Sequence, residues 1–250
     1  METKKQIRLG VLVPSSNTAL EPLTSSLVAS LNSPNLSISV HYSRFSVTQI
    51  SLSKESNSQF TLSTIIDASR LLKDAKCDVI GWSGTSAGWL GFDTDETLCA
   101  AIQQELDTPA TTSTLALNDL LRSLGAKDVG LVTPYTEDIN KAIQRNYSEI
   151  GVEMKVPGIG SLGIRENDAI VKVDEATLEE RVQDVAQNSG VKVVTTFCTN
   201  LRAAHMAAAW EERFDITMLD SVSTCIWGML KIAALEPGTV KGWGKLFAVK

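Results

Sequence analysis

The sequence is poor in the groups from which metal sites, disulfide frameworks and membrane spans are built. Its two histidines, His41 and His205, are too few for a histidine-based metal centre. Four cysteines, Cys77, Cys99, Cys198 and Cys225, stand far apart with no C-x-x-C pair. That spacing excludes a zinc ribbon and a disulfide scaffold, and a reducing cytosol is the expected compartment. No apolar run approaches the roughly 18–20 residues a spanning helix needs. Near the start, Arg8 and Pro14 interrupt what would otherwise resemble a signal-peptide core. Basic clusters are missing too: 23 Lys and Arg face 29 Asp and Glu, a net charge of −6. Nucleic acid and anionic membranes are therefore not expected as partners.

What is present is an ordinary globular composition, 43% hydrophobic and 21% charged over 250 residues, enough for one large domain or two lobes. The most informative stretch is Val193-Val194-Thr195-Thr196-Phe197-Cys198-Thr199-Asn200. A β-favouring run delivers a cysteine beside two small hydrogen-bonding side chains, and the alanine-rich segment from Ala203 to Trp210 reads as a following helix. A thiol at a strand-to-helix junction sits near backbone N–H groups that favour the thiolate. The residue types alone leave a second reading open, because a lone cysteine is also common core filler.

Strands and helices alternate along the chain. Strands are expected at Ile7–Val13, Leu36–Tyr42, Cys77–Trp82, Pro109–Thr112, Asp128–Thr133, Val152–Val156, Val191–Phe197 and Ile216–Leu219. Between them lie helical patterns: one carrying Leu20, Leu23, Leu27 and Leu31, then Thr64–Lys73, Thr94–Leu106, Ser113–Leu124, Ile139–Ile150, Glu175–Gln187 and a last one at Ser221–Ala234. The serine-rich segment from Ser43 to Ser63 reads as a loop or lid leading into a helix. This alternation implies an α/β fold with parallel sheets.

The pattern also repeats. Gly10-Val11-Leu12-Val13-Pro14 matches Gly130-Leu131-Val132-Thr133-Pro134, and Val79–Ser86 matches Val193–Asn200. Two pseudosymmetric Rossmann-like lobes follow, each with a mainly parallel sheet flanked by helices. Their expected extents are residues 1–115 and 116–220, with the C-terminal helical segment, residues 221–250, packing back on the first lobe. Ligands of such sheets sit beyond the carboxyl ends of the strands. Gly84-Thr85-Ser86 and Cys198-Thr199-Asn200 are then expected on opposite walls of one cleft.

The opening Pro14-Ser15-Ser16-Asn17-Thr18, the Gly84-Thr85-Ser86 turn, Pro134-Tyr135 and Cys198-Thr199-Asn200 together resemble the aspartate/glutamate racemase superfamily. Within it, the resemblance is to the branch of maleate cis-trans isomerases and arylmalonate decarboxylases, and it spans nearly the whole chain. The resemblance implies an enzyme without cofactor or metal, a small carboxylic or dicarboxylic acid as substrate, and compatibility with a homodimer. The racemases and isomerases carry one cysteine in each lobe. Here Cys198 matches the second, while Gly84 stands at the first, and neither Cys77 nor Cys99 falls at a position to replace it.

One cysteine opposite glycine is the decarboxylase pattern. It implies loss of carbon dioxide from a malonate-type diacid and protonation of an enediolate by Cys198. Thr85, Ser86, Tyr135 and the backbone N–H of Thr199 then hold the remaining carboxylate, with Pro14, Ser16 and Asn200 around them. The Pro-Ser-Ser-Asn opening instead resembles the isomerases, where the asparagine binds a carboxylate, so Asn17 points to a second acceptor group on the substrate. Two alternatives stand beside decarboxylation: a maleate-type cis-trans isomerase, and a catalytically silent carboxylate-binding protein.

Several residues keep two readings. Asn17 caps the first helix or contacts the ligand. Tyr135 packs at the lobe interface or belongs to the ligand site, and Trp82 and Trp89 pack or wall an apolar subpocket. Arg202 is salt-bridged or meets a carboxylate. His205 lies too far along its helix to pair with Cys198, and Cys225 reads as core.

Overall fold

The computed structural model describes residues 5–249 except residues 32 and 34, so the outermost ends of the expected lobes lie outside it. The first half runs β1 (Lys5–Pro14), α1 (Leu20–Ala29), β2 (Leu36–Phe45), α2 (Lys54–Asn57), α3 (Leu62–Asp74), β3 (Val79–Trp82), α4 (Ala87–Leu90), α5 (Phe92–Leu106), β4 (Ala110–Thr112) and α6 (Ser113–Leu124). The second half runs β5 (Asp128–Val132), α7 (Glu137–Glu149), β6 (Glu153–Lys155), α8 (Asn167–Ile170), α9 (Glu175–Ser189), β7 (Val193–Thr196), α10 (Ala207–Phe214), β8 (Thr217–Met218) and α11 (Ser221–Ile232).

Two four-stranded sheets result, ordered β2-β1-β3-β4 and β6-β5-β7-β8. Every pairing within them is parallel. The inner strands are buried without alternation because helices cover both faces: all four residues of β3 are buried, and three of four in β7. The orders are identical once β1–β4 are matched with β5–β8, and the register agrees as well. Leu9 pairs with Val79 as Val129 pairs with Val193, and Leu12 with Trp82 as Val132 with Thr196. The repeat read from the sequence is a repeat in three dimensions.

The halves join along α6 and α11, whose N-termini interlock. Thr112 caps α6 by accepting from the Leu115 N–H, and Asp220 caps α11 by accepting from Val222 and Ser223. The Ser113 hydroxyl donates to the Ser221 carbonyl, while the Thr224 hydroxyl donates back to the Ser113 carbonyl. Helix α11 also packs on β3, β4 and α1 of the first half. It ends at Ile232, and the chain beyond it forms short 3-10 turns at Pro237–Thr239 and Lys245–Ala248 rather than more helix.

Two further segments shape the site: the first is the expected loop leading into helix, and the second departs from expectation. After Phe45 the chain stays irregular to Ser53, then forms α2 and one 3-10 turn before α3. This segment crosses to the second half and pairs there as a two-residue strap. Ile50 N–H donates to the Arg165 carbonyl at 2.8 Å, and Asn167 N–H to the Thr48 carbonyl at 2.9 Å. The helix expected from Ala203 begins instead at Ala207, after turns and a 3-10 segment at Ala204–Met206. Leu201 N–H donates to the Cys198 carbonyl at 3.2 Å, a tight i to i−3 turn instead of the start of an α-helical ladder.

Candidate active site

The carboxyl ends of β1, β3, β5 and β7 converge on a small cavity between the two halves. Of the residues singled out in the sequence, Pro14, Gly84, Thr85, Ser86, Tyr135, Cys198 and Thr199 line it. They arrive by one local device used twice: a buried strand ends, and its next residues turn across the cleft. Ser83 N–H still donates to the Leu12 carbonyl, and Phe197 N–H to the Val132 carbonyl. Gly84 and Cys198 are therefore the first residues free of their sheets, and they occupy equivalent positions.

Cys198 is 4% exposed. Its thiol is pushed up to about 11, chiefly because burial disfavours the thiolate. Hydrogen bonds from the Tyr135 hydroxyl and the N–H groups of Asn200 and Leu201 oppose that shift, and the Asp220 carboxylate reinforces it. The thiol is thus protonated at neutral pH, with donors already in place for the thiolate that proton loss would leave. Asp220 is itself buried and pushed up to about 6 by loss of water, an effect opposed by the Thr196 hydroxyl at 2.7 Å.

Tyr135 ties the walls together. Its hydroxyl is hydrogen-bonded to Thr85 Oγ1 at 2.9 Å, and its ring meets Trp89 edge-on at 5.3 Å between centroids. Burial first, then the neighbouring Cys198, holds the phenol well above its ordinary range. It is a donor here, not an anion. Among the described residues, the backbone N–H groups of Thr85, Ser86 and Thr199 make no hydrogen bond. Three amides and several hydroxyls therefore meet in one small space, an arrangement suited to an anion.

Ser16, Asn17 and Asn200 do not line the cavity; they lie behind the residues that do. Asn17 Oδ1 accepts from the N–H groups of Ala19 and Leu20 at the start of α1, and Asn17 Nδ2 donates to Thr199 Oγ1. Thr199 Oγ1 in turn donates to the Ser83 carbonyl across the cleft. Asn200 Oδ1 accepts from Thr18 and Ala19, and its Nδ2 donates to the Asn167 carbonyl at 2.6 Å. Ser16 Oγ accepts from Asn167 Nδ2 at 2.8 Å and donates to the Val47 carbonyl. These groups fix the turn carrying Cys198 against the first half.

The residues missed in the sequence are Val47, Ile50, Phe60 and Asn167, all of which line the cavity, with Trp82 and Trp89 completing its walls. Val47 and Ile50 come from the irregular segment after β2, which has no helical or strand periodicity to place it, and Phe60 ends the 3-10 turn before α3. Asn167 opens α8 in a stretch of mixed polarity that carries no motif. Arg202 and His205 lie elsewhere: both face Glu175, at 3.7 and 3.1 Å, on the surface. Cys225 is fully buried in α11. Among the described residues no group of His, Cys, Asp or Glu is placed to hold a metal ion, and no helix is long and apolar enough to cross a membrane.

Two equivalent α/β halves, with one thiol facing a glycine across a hydroxyl-lined cleft, define the class: a two-lobed α/β enzyme with its site between the lobes. The chain belongs to the arylmalonate decarboxylase family, whose model matches residues 24–247. It is 28% identical over 191 residues to the arylmalonate decarboxylase of Bordetella bronchiseptica, covering 74% of this chain and 78% of that one. It is 25% identical over 240 residues to the maleate isomerase of Geobacillus stearothermophilus, covering 93% and 94%. In fold it matches the maleate isomerase Iso from Pseudomonas putida S16, with a TM-score of 0.81 at 24% identity over 97% of this chain and 98% of that one.

Proposed function

We propose that the protein decarboxylates a small malonate-type diacid without a cofactor, and that Cys198 protonates the resulting carbanion from one face. The observation that carries this reading is the asymmetry of the cleft. A buried, protonated thiol stands at the position where the other half offers glycine.

In this mechanism the retained carboxylate is held by the Thr85, Ser86 and Tyr135 hydroxyls and by the Thr199 N–H. The departing carboxylate lies against the apolar side chains of Val47, Ile50 and Phe60. Breaking the C–C bond leaves its electron pair on the α-carbon, delocalised into the retained carboxylate as an enediolate, and releases carbon dioxide. Charge grows on oxygens already facing fixed donors, so these contacts strengthen most in the transition state. Cys198 then passes its proton to the α-carbon, and the new thiolate receives hydrogen bonds from Tyr135, Asn200 and Leu201. Solvent returns the proton. A thiol with a strongly lowered pKa would be ionised and could not donate; burial works against that loss and keeps the proton in place.

A second reading, cis-trans isomerisation of a maleate-type diacid, is favoured by Asn167, whose segment brings an amide side chain to the cavity beside the carboxylate donors. Cys198 would act there without an opposing thiol.

The test is incubation with substituted malonates and with maleate in D₂O, followed by NMR. Carbon dioxide release with deuterium placed on one face supports the proposal. Fumarate from maleate replaces it with the second reading. Saturable binding with no turnover of either class would make the protein a carboxylate-binding relative and sink both.

A further inference from the structure

Trp82 and position 84 compete for the same space. Residues two apart on an extended chain project to the same side, and a Cβ built on Gly84 would fall inside the envelope of the Trp82 indole, against Cζ2 and Cε2. The indole does not give way easily. Trp82 is 1% exposed, and its ring is held by Phe45 at 4.9 Å and Phe60 at 6.4 Å between centroids. In the other half the equivalent residue is Thr196, whose small side chain turns to Asp220 and leaves the space beside Cys198 clear. The two walls thus differ by exchange: tryptophan beside glycine on one, threonine beside cysteine on the other.

The same indole has a second neighbour. Behind it lies a side chamber of about 250 Å³, lined by apolar Ile65, Leu90 and Leu98 and, on its other side, by Asp93, Thr94 and Asp95. Phe60, Trp82 and Ser86 line both this chamber and the reaction cavity, so they form the partition between them. The reaction cavity, shared with the rings of Phe60, Trp89 and Tyr135, is much the smaller of the two.

We propose that Trp82 is the specificity-determining residue of this site: its indole fills the first-half wall and shuts off the side chamber, so the enzyme takes diacids with a slim substituent at the reacting carbon and rejects aryl-bearing ones. The inference rests on reading the cleft as a diacid-processing site, and its test separates the two.

Methylmalonate and phenylmalonate serve as probes, measured for turnover and, in the Cys198→Ala background, for binding by calorimetry. The native wall should favour methylmalonate in both. Trp82→Ala should raise the phenyl-to-methyl ratio about tenfold or more, within the range that pocket-size changes command. Trp82→Leu, which retains more of the wall, should raise it less. An unchanged ratio in folded Trp82→Ala and Trp82→Leu overturns the proposal, as does tighter phenylmalonate binding by the native wall.

A third measurement needs neither turnover nor binding. Gly84→Cys should lower the melting temperature markedly in the native background and much less in Trp82→Ala, since the clash is with the indole. Equal effects in both backgrounds also overturn the proposal. Failure of the wild type to turn over either acid would sink decarboxylation while leaving the binding and melting comparisons to decide on Trp82.

Discussion

Gly84 and Cys198 hold the same position in the two halves of the protein, each two residues beyond the last paired residue of an equivalent strand. One half presents a thiol to the cleft and the other presents bare backbone with an indole alongside. Chemistry at this site is therefore expected to be one-sided. Cys198→Ala should lower turnover by about 10²–10⁴-fold, the range for losing a positioned proton donor. The side chain is small, so stability should fall by no more than about 1–2 kcal/mol. Steady-state kinetics beside urea unfolding check both; turnover within a few-fold of wild type would remove Cys198 from the mechanism.

The thiol's protonation state is open to direct measurement. Burial pushes Cys198 up to about 11, against an ordinary 9.0. Its alkylation by iodoacetamide, followed by mass spectrometry of the Cys198 peptide, should be slow at pH 7.5 and rise about tenfold per pH unit through pH 10. A plateau near pH 9 would mean that burial is not setting the thiol's pKa and that the proton is less securely held than proposed.

Tyr135→Phe separates hydrogen bonding from packing. The ring's contact with Trp89 survives, while the bonds to Thr85 and Cys198 are lost. Loss of one donor to a developing oxyanion costs about 10²–10³-fold in turnover. The Tyr135 bond lowers the thiol's pKa, so removing it should also slow Cys198 alkylation at a fixed pH. A packing role alone would move neither quantity.

How far the sequence reveals this protein depends on how local each feature is. The strand-ends at Pro14, Gly84, Pro134 and Cys198 are legible because buried parallel strands are continuous apolar runs and because the pattern occurs twice. Helix limits such as Ser113–Leu124 are legible because Thr112 caps one end and Gly125 closes the other with a left-handed turn. The strap is not legible. Val47 and Ile50 lie at the cavity where residues 48–50 pair with residues 165–167, a contact more than a hundred residues apart with no local pattern. Asn17 shows the converse limit. Its residue type fits both a cap and a ligand contact, and only the fold places its oxygen on the α1 amides and its nitrogen on Thr199. The role of Trp82 was likewise hidden, since an indole's direction cannot be read from its neighbours in sequence.

The strap predicts a dynamic effect. Asn167 bonds through its N–H to Thr48, through its side chain to Ser16 and through its carbonyl to Asn200. Asn167→Ala loses the side-chain bond, worth about 1 kcal/mol. Amide exchange at Ile50, whose N–H reaches Arg165 across the same crossing, should accelerate roughly fivefold if opening is local. Exchange at buried β1 amides should stay unchanged; equal acceleration at both would indicate global destabilisation instead of a looser strap.

Stability should also depend on pH through a carboxyl that the proposed reaction does not use. Asp95 on α5 is 3% exposed, its Oδ2 has no hydrogen-bond partner, and burial pushes it up to about 7, opposed by the Thr112 hydroxyl. Its ordinary value is 3.8, so between pH 4 and 7 the folded protein holds a proton that the unfolded chain has lost. Stability therefore falls as pH rises through that window and levels off above it. Asp220, pushed up to about 6, acts in the same direction over a narrower range. Asp95→Asn keeps an acceptor for Thr112 and removes the charge. The variant should be the more stable form at pH 8, by on the order of 2–4 kcal/mol, and should converge on wild type below pH 4. Urea unfolding at pH 4, 6 and 8 measures the difference. A gap independent of pH would mean that Asp95 titrates as it does in water and that solvent reaches its carboxyl.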